Sequence, residues 1–95
     1  MRKEVCWFAE RMESRLSEND HKPGWQDSRE DREFLLKRLE ANYHKLWAAE
    51  QCYGSAFDPE NVVKKAADIA NFAMMLADNA RRDLERQAKE APNGH

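Results

Sequence analysis

Apolar residues recur at helical spacing in three stretches of the chain, with charged residues filling the gaps. Val5, Phe8, Ala9, Met12 and Leu16, with Trp7 beside them, predict a first helix from about Glu4 to Ser17. Glu10, Arg11, Glu13 and Arg15 form its solvated face. The segment Glu18 to Asp27 breaks the period, and Pro23-Gly24 is a turn signal. A second helix is expected from Ser28, a good N-cap followed by Glu30, Asp31 and Glu33 at the positive end of the helix dipole. Leu35, Leu36, Leu39, Tyr43, Leu46 and Trp47 make its apolar stripe, which ends before Gly54. Asp58, Pro59 and Glu60 then supply a cap, a first-turn proline and a first-turn acid. From there a third helix can run unbroken to roughly Lys89, about 45 Å at 1.5 Å per residue.

That third helix is apolar on more than one side. Val62, Ala66, Ile69, Ala73, Leu76 and Ala80 make one stripe, and Val63, Ala67, Ala70, Met74 and Ala77 another. Two other helices, one of them short, would leave part of this surface bare. The pattern therefore predicts an all-α helical bundle completed by dimerisation or higher oligomerisation, unless the alanines tolerate exposure. Residues 1–90 are expected to form a single domain, with 91–95 a flexible tail. A polar line also runs down the third helix through Asn61, Lys64, Lys65, Asp68, Asn71, Asn79 and Arg82, interrupted by Phe72 and Met75. Burying Asp68 or Asn71 without a partner costs a few kcal/mol. They must reach water in a cleft or pair with the second helix, where Asn42, Tyr43, His44, Lys45 and Glu50 are the candidates. The plainer alternative is a surface Lys65–Asp68 pair worth a few tenths of a kcal/mol.

Composition narrows the function classes. The 95 residues carry 16 basic and 18 acidic side chains, a net charge of −2 that gives no basic excess for binding nucleic acid. The longest uncharged run, Ile69 to Ala77, is nine residues, about half a membrane span. No apolar stretch follows Arg2 and Lys3, so neither a secretion signal nor a membrane partner is expected, and the location expected is cytoplasmic. Cys6 and Cys52 offer neither a disulfide framework nor a metal spacing, and His21, His44 and His95 are too scattered for Zn²⁺.

The stretch Lys65-Ala-Ala-Asp68-Ile-Ala-Asn71-Phe-Ala-Met-Met-Leu-Ala-Asp78-Asn79 resembles the last core helix of MazG-like nucleotide pyrophosphohydrolases. The likeness is greatest to the small phage-type group acting on purine deoxynucleoside triphosphates. Asn19-Asp20-His21-Lys22-Pro23-Gly24-Trp25 is similar to a loop of that group, and Leu35-Leu36-Lys-Arg-Leu39 resembles the start of its metal-binding helix. The resemblance spans roughly Trp7 to Arg82 and implies a MazG-like bundle, which the apolar surface of the third helix would complete as a homodimer or tetramer. It also implies an E-x-x-E and an E-x-x-D on facing helices. Positions i and i+3 share a helix face, so four carboxylates converge on Mg²⁺, which neutralises the triphosphate and activates water, releasing a monophosphate and pyrophosphate.

This chain departs from that pattern at three of the four positions. Aligned through Leu39 and Leu46, the first motif falls on Asn42 and Lys45; a one-residue shift gives Ala41 and His44. In the second motif Lys65 replaces the acid, and Asp68 is the only matching metal ligand. Ammonium groups repel a cation and lack a free lone pair. The reading that follows is a non-catalytic relative, with no catalytic residue and no cofactor, that binds a nucleotide or related phosphate ligand in the former active-site cleft. Its candidate ligand-binding residues are Lys22, Trp25, Asn42, Lys45, Lys65, Asp68 and Asn71, with His21 near the loop's closing edge. In a relic cleft without ligand, Lys45 and Lys65 would instead neutralise Asp68 and Glu50. Two alternatives stand beside this: a residual Mg²⁺-dependent pyrophosphohydrolase with relocated ligands such as Glu40, Glu50, Asp68 and Asp78, and a protein-interaction module using Trp7, Trp25 and Trp47.

Overall fold

The computed structural model describes residues 1–21 and 24–90. The tail expected at 91–95 and the loop residue Lys22 lie outside the described residues. The described chain is all-α, with three α-helices, α1 (Lys3–Ser17), α2 (Arg29–Gln51) and α3 (Pro59–Glu90), and a 3₁₀ turn at Gly54–Ala56. None of the helices is long and apolar enough to cross a membrane.

The helix ends follow local chemistry. The Ser28 hydroxyl accepts from the backbone N–H of Asp31 at 3.1 Å and donates to the Asp31 carboxylate at 2.6 Å. Oδ1 of Asp58 accepts from the N–H groups of Glu60 at 3.1 Å and Asn61 at 3.2 Å, ahead of Pro59 in the first turn. Between α2 and α3 the chain turns through Gly54 at φ +62°, a left-handed conformation that glycine adopts without steric penalty.

Helix α3 is the spine. It packs against both α1 and α2, and among the described residues no α1 Cα comes within 8 Å of an α2 Cα. The molecule is accordingly elongated, 63 × 33 × 27 Å, with a radius of gyration of 16.9 Å. A compact chain of this length has a radius near 12 Å. Its accessible surface is 7504 Å², against about 5,700 Å² for a folded monomer of this mass.

The thin core has a physical cause in α2. Leu35, Leu39, Asn42 and Leu46 line one stripe, which faces α3 and is buried or half-buried. Leu36, Tyr43 and Trp47 form a second stripe about 100° around the helix. Among the described residues no other helix covers it, and its residues are 51–57% exposed. The single stripe expected from the sequence is thus two. On α3, Ala73, Ala77 and Ala80 are exposed and align with the exposed Leu84. Among the described residues Leu35 and Ala67 are the buried apolar ones, while Asn42, Asn71 and Asn79 are buried polar ones.

Candidate functional site

The gap left between α1 and α2 is a cleft of about 730 Å³ floored by α3. Lys65, Asp68, Asn71, Phe72 and Met75 come from the floor, and Arg38, Asn42 and Lys45 from α2. Glu13, Arg15 and Leu16 come from α1, and the connection between α1 and α2 adds Trp25 at one end. Six of the seven residues singled out from the sequence therefore line one cleft, Lys22 being the one outside the described residues. His21 is exposed and does not line it.

The connections within the cleft differ from the expectation. Asp68 does not pair with Lys65 or with α2. Both its oxygens accept from Arg15 of α1, at 2.8 Å from Nε and 3.0 Å from Nη2. Arg15 also reaches Glu18 at 2.8 Å. The bidentate bond to Asp68 raises the Arg15 pKa above its ordinary value, against the opposing effect of burial. Asn71 likewise turns to α1, donating from Nδ2 to the Met12 carbonyl at 3.0 Å, and not to Asn42, Tyr43, His44, Lys45 or Glu50. That bond fixes the amide's orientation and leaves Oδ1 buried without a donor among the described residues. The reason for both corrections is that α1, not α2, lies against the Asp68–Asn71 side of α3.

Lys45 and Lys65 take no ion-pair partner among the described residues, nor does Arg38, so neither lysine neutralises Asp68 or Glu50. Four cations and three acids line the cleft, and one acid, Asp68, is already bridged by Arg15. A molecule of net charge −2 thus presents a locally positive cleft. Phe34, Phe72 and Trp25 add aromatic surface to the same walls.

Trp25 is held by a strap. Its indole N–H donates to Asp78 at 3.2 Å, and Asn79, fully buried, donates to the Gln26 carbonyl at 3.1 Å. Arg32 then bridges Asp27 at 2.7 Å and Asp83 at 2.8 Å. Arg81 foremost, with the Trp25 indole, holds the Asp78 carboxyl below its usual range, and Arg32 does the same for Asp83.

The residues do not fit the Mg²⁺ that the family resemblance implies. At the positions of the first motif, Asn42 is 4% exposed and spends its amide N–H on the Arg38 carbonyl, and Lys45 is a cation. At those of the second, Lys65 is a cation and Asp68 is fully engaged by Arg15. The relocated set of Glu40, Glu50, Asp68 and Asp78 does not converge: among the described residues no group of three or more His, Cys, Asp or Glu stands close enough to hold a metal. Asp78 is taken up by Trp25, Arg81 and Arg82.

Arg38 and Arg15 are the cleft cations that sequence reasoning passed over. Arg38 had a legible signal, since Leu35, Arg38, Asn42 and Lys45 fall at i, i+3, i+7 and i+10 on one face. No protein-family model, curated protein or solved structure matches the chain.

Proposed function

We propose that this chain is a non-catalytic, MazG-like helical protein that binds a nucleotide or related phosphate ligand in the cleft between α1 and α2. The observation carrying this reading is that Arg38, Lys45 and Lys65 share a cleft with aromatic side chains while having no carboxylate ion-pair partner among the described residues. Ammonium and guanidinium groups donate charge-assisted hydrogen bonds to phosphate oxygens. Phe34, Phe72 and Trp25 offer apolar surface of the kind on which a base stacks. The four positions that would hold metal in a pyrophosphohydrolase contribute two cations, an amide and an occupied carboxylate, so binding is favoured over turnover. Calorimetry with purine nucleoside mono- and triphosphates and cyclic nucleotides in EDTA is the test. A saturable isotherm with one of them is expected, and no heat from any at millimolar concentration would reject the reading.

We also assign the bare stripes to a second copy of the chain. The surface in excess of a compact monomer is about 1,800 Å², and large obligate homodimers bury about 1,000–2,500 Å² per protomer. Trp47, 57% exposed, and Trp7, 48% exposed beside the apolar groove of Val5, Phe8 and Met12, are large anchors of the type enriched at interfaces. A homodimer, or a tetramer built from two such dimers, supplies the cover that α3 gives α2 on one side only.

A further inference from the structure

The misfit between this cleft and a divalent cation bears on which phosphate ligands it takes, given the phosphate-binding reading above. A nucleoside triphosphate in millimolar magnesium travels as a chelate, and protein sites for that chelate supply one or two carboxylates to the metal alongside the phosphates. Asp68 is the carboxylate on the cleft floor, and Arg15 occupies both of its oxygens at 2.8 and 3.0 Å. An internal guanidinium already provides the counter-charge that a metal would bring. Around it stand Arg38, Lys45 and Lys65, with no ion-pair partner among the described residues. A phosphate group without metal meets these donors directly. A chelated triphosphate brings its cation into a cleft where four cations, Arg15, Arg38, Lys45 and Lys65, outnumber three acids, Glu13, Asp20 and the Arg15-bridged Asp68, and part of its negative charge is already neutralised.

We propose that the cleft selects phosphate groups that carry no magnesium, favouring phosphate monoesters and diesters over chelated triphosphates, with Mg²⁺ acting as an antagonist of triphosphate binding. Lys45 and Lys65 set the sign of that dependence because they line the same cleft as Asp68, Lys45 from α2 and Lys65 from α3. Both are accessible enough for substitution: Lys45 is exposed and Lys65 half-buried.

The test is calorimetry on the full chain with deoxyadenosine monophosphate, 3′,5′-cyclic adenosine monophosphate and deoxyadenosine triphosphate. Each is titrated once in EDTA and once in millimolar magnesium chloride. The monoester and diester affinities are expected to agree within about twofold between the buffers, and the triphosphate to weaken by about fivefold or more, the order of one lost charge-assisted contact. The two small probes distinguish a monoester from a diester preference. Tighter triphosphate binding in magnesium would overturn the inference while leaving the phosphate-binding reading intact. No heat from any probe in either buffer would overturn both. In Lys45→Glu/Lys65→Glu, with helicity checked by circular dichroism, the sign is expected to reverse so that magnesium promotes triphosphate binding. A folded variant whose magnesium dependence matches the parent would refute the role given to the two lysines.

Discussion

Arg15 and Asp68 carry the connection between α1 and the rest of the molecule at the scale of single residues. Two hydrogen bonds between charged groups, partly open to solvent, fall between the value of an exposed pair and that of a protected one. Asp68→Asn is expected to cost about 1 kcal/mol of unfolding free energy, read by urea denaturation, with the loss concentrated in faster amide exchange along α1. Unchanged exchange in α1 would show that the pair holds nothing together. Asp68 could be picked out from the sequence because a lone acid beside the apolar run from Ile69 to Ala77 needs a partner. The partner could not, because Arg15 reads as one of several charges on the solvated face of a short helix. Only the docking of α1 against α3 decides that this arginine, and not Arg11, meets the carboxylate. The same docking decides that Asn71 bonds the Met12 carbonyl.

Helix boundaries are set by neighbours in sequence, which is why they were legible. Ser28 and Asp58 cap through side-chain oxygens two or three residues from the donors they satisfy. Asp58→Ala is expected to lower stability by about 1 kcal/mol, measured by thermal or urea unfolding, and Asp58→Asn to retain most of it. The strap from Trp25 to Arg32 lies at the same scale but depends on distant partners, Asp78, Asn79 and Asp83, so no pattern of turn residues foreshadows it. Its response to acid follows from the lowered pKa values of Asp78 and Asp83. Above the ordinary carboxylate range both acids are ionised in the folded and unfolded chain, and the pairing contributes fully. As pH falls through that range, near 4, toward the lowered folded values, the unfolded state takes up protons first and the contribution is lost. In a Trp7→Phe/Trp47→Phe background, Trp25 emission should therefore shift to the red as pH falls below about 4, and Asp78→Asn should already show part of that shift at neutral pH. An emission that ignores both would refute the strap.

The molecule as a whole is a three-helix arrangement whose outer faces are unfinished. The excess of apolar surface on α3 was visible in its two stripes, but periodicity reports which positions are apolar and not which neighbour covers them. The split of α2 into a covered stripe through Leu35 and a bare one through Tyr43 and Trp47 needed the geometry. Sedimentation equilibrium is expected to give a dimer or tetramer whose melting temperature rises with protein concentration, as linkage requires. Trp47→Lys should shift that equilibrium toward monomer. A concentration-independent monomer would leave the bare stripes without the partner assigned to them.

The cleft is where the three scales meet: its floor is one helix, its walls are two others, and its chemistry is four cations set against three acids. Asn42 and Lys45 were readable as the places where the resembling family's i, i+3 motif falls, and Lys65, Asp68 and Asn71 from the polar line down α3. That they face one another across a single cavity was not. The most direct measurement is a calorimetric titration of deoxyadenosine monophosphate into the parent chain and into Lys45→Ala/Lys65→Ala. Loss of two charge-assisted contacts predicts an affinity lower by about tenfold or more at unchanged helicity. Equal affinity in the two proteins would place the ligand elsewhere and contradict the account.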